Sequence, residues 1–189
     1  QLFRIISHEA IRKNLSREYL EFLVGVQTLL IKDYKNQRET LRPTHIWEIR
    51  ALIALGSWDR ALSAIDFYDH QYTNDNIMHH LRGVALLMAR SARSNVLAAK
   101  EFQASLNPVV NWQSLYGLAT ALLRSGRKEN VPFLLVEMAK TPPDPERDRW
   151  STLLALELLL AQGKAAAALE GISPFLKKNP DIYEAWDLK

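Results

Sequence analysis

Cysteine is absent from all 189 residues, so the chain has no disulfide framework, no thiolate nucleophile and no Cys-ligated zinc or iron–sulfur site. The same absence suits periplasm and cytoplasm alike and leaves the localisation open. Glycine (7) and proline (8) are scarce and mostly stand singly, which points away from a strand-and-turn protein and toward helices joined by short turns. Excess charge of one sign is also missing. The 24 Lys and Arg exceed the 21 Asp and Glu by a net +3, too little for a nucleic-acid footprint. The apolar run Leu153 to Ala161 is interrupted by Glu157 and falls well short of the roughly 20 residues that span a bilayer.

Catalytic and cofactor signatures are lacking too. Gln162-Gly163-Lys164 has neither the earlier Gly nor the following Ser or Thr of a phosphate loop, and neither a G-x-S-x-G elbow nor an H-E-x-x-H pair occurs. The expectation is a non-enzyme without a cofactor. His70, His79 and His80, with Asp66 or Asp69, are the one set close enough in sequence to consider as metal ligands. They could converge if the repeat boundary folds back, but their spacing does not guarantee it, and no metal is expected.

What is present is a globular balance, 48% hydrophobic against 24% charged, arranged with a period. Segments 51–68, 118–138 and 155–175 each read as an apolar helical stretch, a Gly turn and a second apolar stretch. The turn glycines are Gly56, Gly126 and Gly163. A further, longer polar turn is expected where residues 89–95 read Ala-Arg-Ser-Ala-Arg-Ser-Asn. Thr73, Pro108, Pro143 and Pro180 follow at intervals of 35, 35 and 37. Proline stops a helix because it lacks an N–H and clashes with the preceding turn, whereas Gly supplies the positive φ of a tight helix-to-helix turn. Between these marks Leu52, Leu55, Trp58, Leu62 and Ile65 recur at helical spacing, as do Leu115, Leu118, Leu122, Leu134 and Met138. One hairpin cannot bury such a face alone; stacked hairpins can.

These residues resemble the tetratricopeptide repeat, whose signature runs W-x2-L-G-x2-Y, G-x-Y-x2-A, F-x2-A and P. Leu52, Gly56, Trp58, Ala61 and Ile65 match in order, then Gly83, Leu86, Ala98, Phe102 and Pro108. Leu118, Ala119, Leu122, Gly126, Val131, Leu135 and Pro143 follow, and Leu159, Gly163, Ala168, Ile172 and Pro180 close the series. Tyr68, Met138 and Phe175 depart from it, standing where the family has Ala. The resemblance implies an all-α fold, a right-handed α-solenoid of stacked antiparallel helical hairpins. About four repeats are expected over 42–182, at 42–75, 76–111, 112–148 and 149–182. Residues 1–41 read as an N-terminal helical pair or divergent repeat: one amphipathic helix over Leu2 to Lys13, then a longer one from the N-cap Ser16 to about Asn36, with Arg42-Pro43 closing the section. Residues 183–189, with Trp186 and Leu188, read as the start of a further repeat or a cap helix. Because the chain opens on Gln1, it is expected to be a piece of a longer protein.

In the resembled family the first helix of each repeat lines a concave groove that holds peptides or helices. Carried over by position, the groove residues are Arg50, His80, Gln113, Tyr116, Thr120, Arg124 and Glu157. The mixture of Arg, amide and aromatic is what recognition surfaces favour. The family's Lys and Asn set for C-terminal carboxylates is missing, and the stretch Thr141 to Arg149 reads as a stiff charged connector. The expected function is a protein–protein interaction scaffold in a larger assembly, such as a bacterial envelope, secretion or polysaccharide-export system. Its partner is another protein or peptide, with no nucleic acid, and the cut ends offer a route to self-association. The alternatives are an RNA-binding helical-repeat module, which would need a basic groove, and an accessory repeat domain of an enzyme.

Overall fold

The computed structural model describes residues 17–33, 38–72, 75–89, 91–182, 185 and 188. Among these residues there are nine α-helices and no strand. The chain divides into two compact units, Gln1–Arg90 and Ser91–Lys189.

The first unit holds α1 (Arg17–Asp33), α2 (Arg38–Ala54), α3 (Trp58–Gln71) and α4 (Asn76–Met88). Each helix packs on the next, and α2 also packs on α4, which is the contact pattern of stacked helical hairpins. Small residues make this approach close: Ala51, Ala61 and Ala85 are buried together with Val24 and Leu52. Larger side chains fill the adjoining cluster, where Ile49, Ile65, Tyr68, Tyr72, Met78 and Leu81 meet. Each fully buried aliphatic side chain of this kind contributes roughly 1.5–3 kcal/mol.

The second unit holds α5 (Ala92–Ser105), α6 (Trp112–Arg124), a 3₁₀ turn (Lys128–Asn130), α7 (Val131–Lys140), α8 (Pro145–Ala161) and α9 (Ala165–Lys178). Again each helix packs on its successor, and α6 also packs on α8. Phe102 of α5 lies over Gly117 of α6, a position with no room for a side chain. Leu153, Leu156, Ile172, Phe175 and Leu176 form the core of α8 and α9, and Ile182, Ala185 and Leu188 extend it.

The turn glycines behave as their positions require, with φ of 71°, 76° and 78° at Gly56, Gly126 and Gly163. Pro108, Pro143 and Pro180 each lie within three residues beyond a helix end. Three local expectations are corrected. Arg42-Pro43 does not close a section, because α2 begins at Arg38 and runs through Pro43. The polar stretch after Ala89 is not a long turn. Ser91 accepts from the Ser94 backbone N–H and the Ser94 hydroxyl accepts from Ser91 N–H, a reciprocal cap that starts α5 at Ala92. The connector Thr141 to Arg149 is helical from Pro145 onward, because the Asp144 carboxylate caps α8 by accepting from Glu146 N–H at 2.9 Å. The second expected N-terminal helix is present over Arg17–Asp33, and the rest of its expected span, to Asn36, lies outside the described residues. The helix expected over Leu2 to Lys13, the cap at Ser16, Thr73 and Trp186 lie outside the described residues.

Candidate functional site

Of the seven groove residues expected from the sequence, Arg50 and His80 fall in the first unit. The α2–α4 contact brings them into each other's field. Arg50 sits one turn beyond Trp47, and its guanidinium carbon lies 4.8 Å from the centroid of that ring, a cation–π arrangement. Burial, and next the positive charge of Arg50, push the His80 imidazole down to about 4. His80 is therefore neutral at pH 7, an acceptor or single donor and not a cation.

This has a consequence for stability. An imidazole at about 4 in the fold and near 6.5 when unfolded carries no penalty above pH 6.5. As pH falls from 6.5 toward 4 the unfolded chain takes up a proton that the fold refuses, and stability is lost. The full loss is on the order of 3 kcal/mol. His45, lowered by burial, adds to the effect, while burial raises the Glu48 carboxyl and offsets part of it. Urea unfolding of the protein and of His80→Gln at pH 7 and pH 4.5 is expected to show a clearly smaller acid loss in the variant. Equal losses would mean that His80 is not held neutral by the fold.

Gln113, Tyr116, Thr120 and Arg124 all lie on α6, and Glu157 lies on α8. Tyr116 meets Trp150 of α8, ring centroids 5.3 Å apart and planes inclined at 58°. Gln113 and Arg124 are exposed and Tyr116 and Glu157 are half-buried. Thr120 is a correction: it is only 4% exposed, and its hydroxyl has no hydrogen-bond partner among the described residues. The reason is that α6 packs against α5, α7 and α8 and keeps little free surface. Thr120 falls on the covered side.

No protein-family model, no curated protein and no solved structure matches the chain.

Of the residues that could ligate a metal, Asp66, Asp69 and His80 have other neighbours. Arg82 pairs with Asp66 at 2.7 Å and with Asp69 at 3.0 Å, while His80 is half-buried near Arg50. Among the described residues no group of three or more His, Asp or Glu is placed to hold an ion, and no helix is long and apolar enough to cross a membrane.

Two clusters were not anticipated. One joins Arg42, Tyr68 and Asp75. The Tyr68 hydroxyl donates to Asp75 Oδ2 at 2.5 Å, Arg42 donates to the same oxygen at 2.9 Å, and Asp75 Oδ1 accepts from Ile77 N–H at 3.0 Å. Burial alone would raise the Asp75 carboxyl; the hydrogen bonds from Tyr68, Arg42 and Ile77 outweigh it and hold the group below its usual range. Desolvation and the neighbouring carboxylate raise the Tyr68 phenol to about 12. The other cluster ties Trp112 to α8, its Nε1 donating to Asp144 at 2.9 Å. The Asp75-Asn76 step before an apolar run was a readable N-cap signal. The buried Tyr68 hydroxyl that completes the network was not readable from local pattern.

Proposed function

We propose that this chain is a non-catalytic section of a tetratricopeptide-like repeat array, a right-handed α-solenoid that holds another protein or peptide on the first helices of its hairpins. The observation that carries the reading is the packing of first helices side by side, α2 on α4 and α6 on α8. In the second unit this contact leaves the Tyr116–Trp150 pair with Gln113, Arg124 and Glu157 on the same two helices. Half-buried aromatics beside a planar guanidinium and an amide offer rigid stacking surfaces and forked hydrogen bonds. Thr120, being buried, supports this face from beneath. In the first unit the corresponding contribution is Arg50, stacked on Trp47, with neutral His80 beside it.

The test is capture from lysate of the source organism with the protein and with an Arg50→Glu, Tyr116→Ala, Arg124→Glu variant, after circular dichroism shows the variant folded. A protein partner is expected to be retained by the parent chain and weakened at least tenfold, about 1.4 kcal/mol, by the variant. RNA enriched without a protein, and released as salt rises, would overturn the reading in favour of an RNA-binding repeat.

A further inference from the structure

On the second unit, away from Tyr116 and Trp150, a surface groove of about 600 Å³ lies between α5, α6 and α7. Its walls follow helical spacing. Val96, Ala99, Lys100 and Gln103 form one wall at i, i+3, i+4 and i+7 on α5, and Phe133 and Leu134 form the other on α7. The floor is Leu118 and Leu122, one turn apart on α6, and Arg127 and Asn130 also line the groove. The Phe133 side chain stands 64% exposed at the rim and Val96 38%, more apolar surface than a solvated helix face needs. Two cations, Lys100 and Arg127, line the groove and no carboxylate does. Neither cation makes an ion pair with another described residue.

We infer that this groove is a second docking site, which takes one acidic amphipathic helix from a partner protein. The occupant is a helix because two flanking helices with a floor of Leu at i and i+4 leave the vacant place of one more helix. Apolar residues at i, i+3, i+4 and i+7 of that helix would fit over Leu118, Leu122 and Phe133. The occupant is acidic because the lining carries two positive charges unanswered within the groove, and complementary charge steers and orients a partner. The volume falls within the ~300–1,000 Å³ typical of ligand clefts, but the groove is open along its length and suits a chain segment better than an enclosed small molecule. The site does not depend on the proposed first-helix face. A failure there leaves this inference standing, and the reverse holds as well.

The test uses a display library of amphipathic helical peptides, selected on the whole chain and counter-selected on folded Phe133→Asp and on folded Lys100→Glu/Arg127→Glu. The expected result is enrichment of helices with Glu or Asp flanking an apolar stripe. An enriched peptide, fluorescein-labelled, should lose at least tenfold in affinity to either variant and keep full affinity for Tyr116→Ala/Arg124→Glu. Reversing the peptide's acidic residues to Lys should restore binding to the Lys100→Glu/Arg127→Glu protein. Enrichment of basic or extended peptides would overturn the inference, as would no peptide that distinguishes the variants. Concentration-dependent self-association abolished by Phe133→Asp would also overturn it, by making a second copy the occupant.

Discussion

Gly117→Ala is expected to destabilise the second unit by about 2 kcal/mol, although alanine is the better helix former by roughly 1 kcal/mol. A Cβ at position 117 would stand 2.5 Å from Phe102 Cε1 and 2.8 Å from Cε2, well inside the 3.5–4.0 Å of an ordinary carbon contact. The ring cannot swing aside, because Phe102 is itself buried. Helices α5 and α6 must then separate or the ring must leave its rotamer, at a cost of roughly 1–3 kcal/mol or more for overpacking. Two other glycines calibrate the result. At Gly171 the added carbon would meet Leu156 Cδ2 at 2.5 Å, the far end of a flexible chain, so the expected loss is smaller, below about 1 kcal/mol. At Gly25 in α1 nothing lies within 4 Å, and Gly25→Ala should stabilise by about 0.5–1 kcal/mol. Urea unfolding followed by tryptophan emission reads all three. A stabilising Gly117→Ala would contradict the close approach of α5 and α6.

Asp75→Ala is expected to cost the first unit about 3 kcal/mol. Three bonds go at once: the N-cap of α4, the acceptor of the buried Tyr68 hydroxyl and the partner of Arg42. Loss of an Asp cap is worth about 1 kcal/mol, and a buried hydroxyl left unpaired roughly 1–3 kcal/mol. The Arg42 ion pair adds little, since that side chain is 44% exposed and solvent screens it. Asp75→Asn, which keeps the cap, should lie between, and a double-mutant cycle with Tyr68→Phe should return a coupling of about 1 kcal/mol or more. The pH dependence has a definite sign. A carboxyl held below its unfolded value of 3.8 contributes stability above that pH and loses it as pH falls through the lower folded value. This loss lies below the window in which His80 acts, so the stability of the first unit should fall with pH in two separate ranges. Asp75→Ala with no measurable loss would mean the network is not formed.

The sequence made the helices and most of their punctuation legible. The positive φ at Gly56, Gly126 and Gly163, and Pro108, Pro143 and Pro180 beyond helix ends, follow from local chemistry that a repeat period exposes. Errors came where a local signal was overridden or competed with another. Pro43 did not end a helix, because five residues precede it in α2 and only one backbone bond is forgone. The serines near 91 resembled a polar loop, although Ser at N-cap and N3 is also a helix start. At the candidate surface, position within the repeat placed Gln113, Tyr116 and Arg124 on an accessible face, but it also placed Thr120 there. Thr120 is one helical turn from Tyr116, and only the tertiary packing of α6 on three neighbours decides which residue is covered. The Tyr116–Trp150 pair and the Arg42–Tyr68–Asp75 network span 34 and 33 positions, so no local pattern announces them.

Hydrogen–deuterium exchange on the chain, alone and with the partner retained in capture, tests the central claim most directly. The account predicts slowed exchange on α6 and α8 around Tyr116, Arg124, Trp150 and Glu157, which is lost with the Tyr116→Ala, Arg124→Glu protein. Unchanged exchange on α6 and α8, with protection confined to other helices, would contradict it.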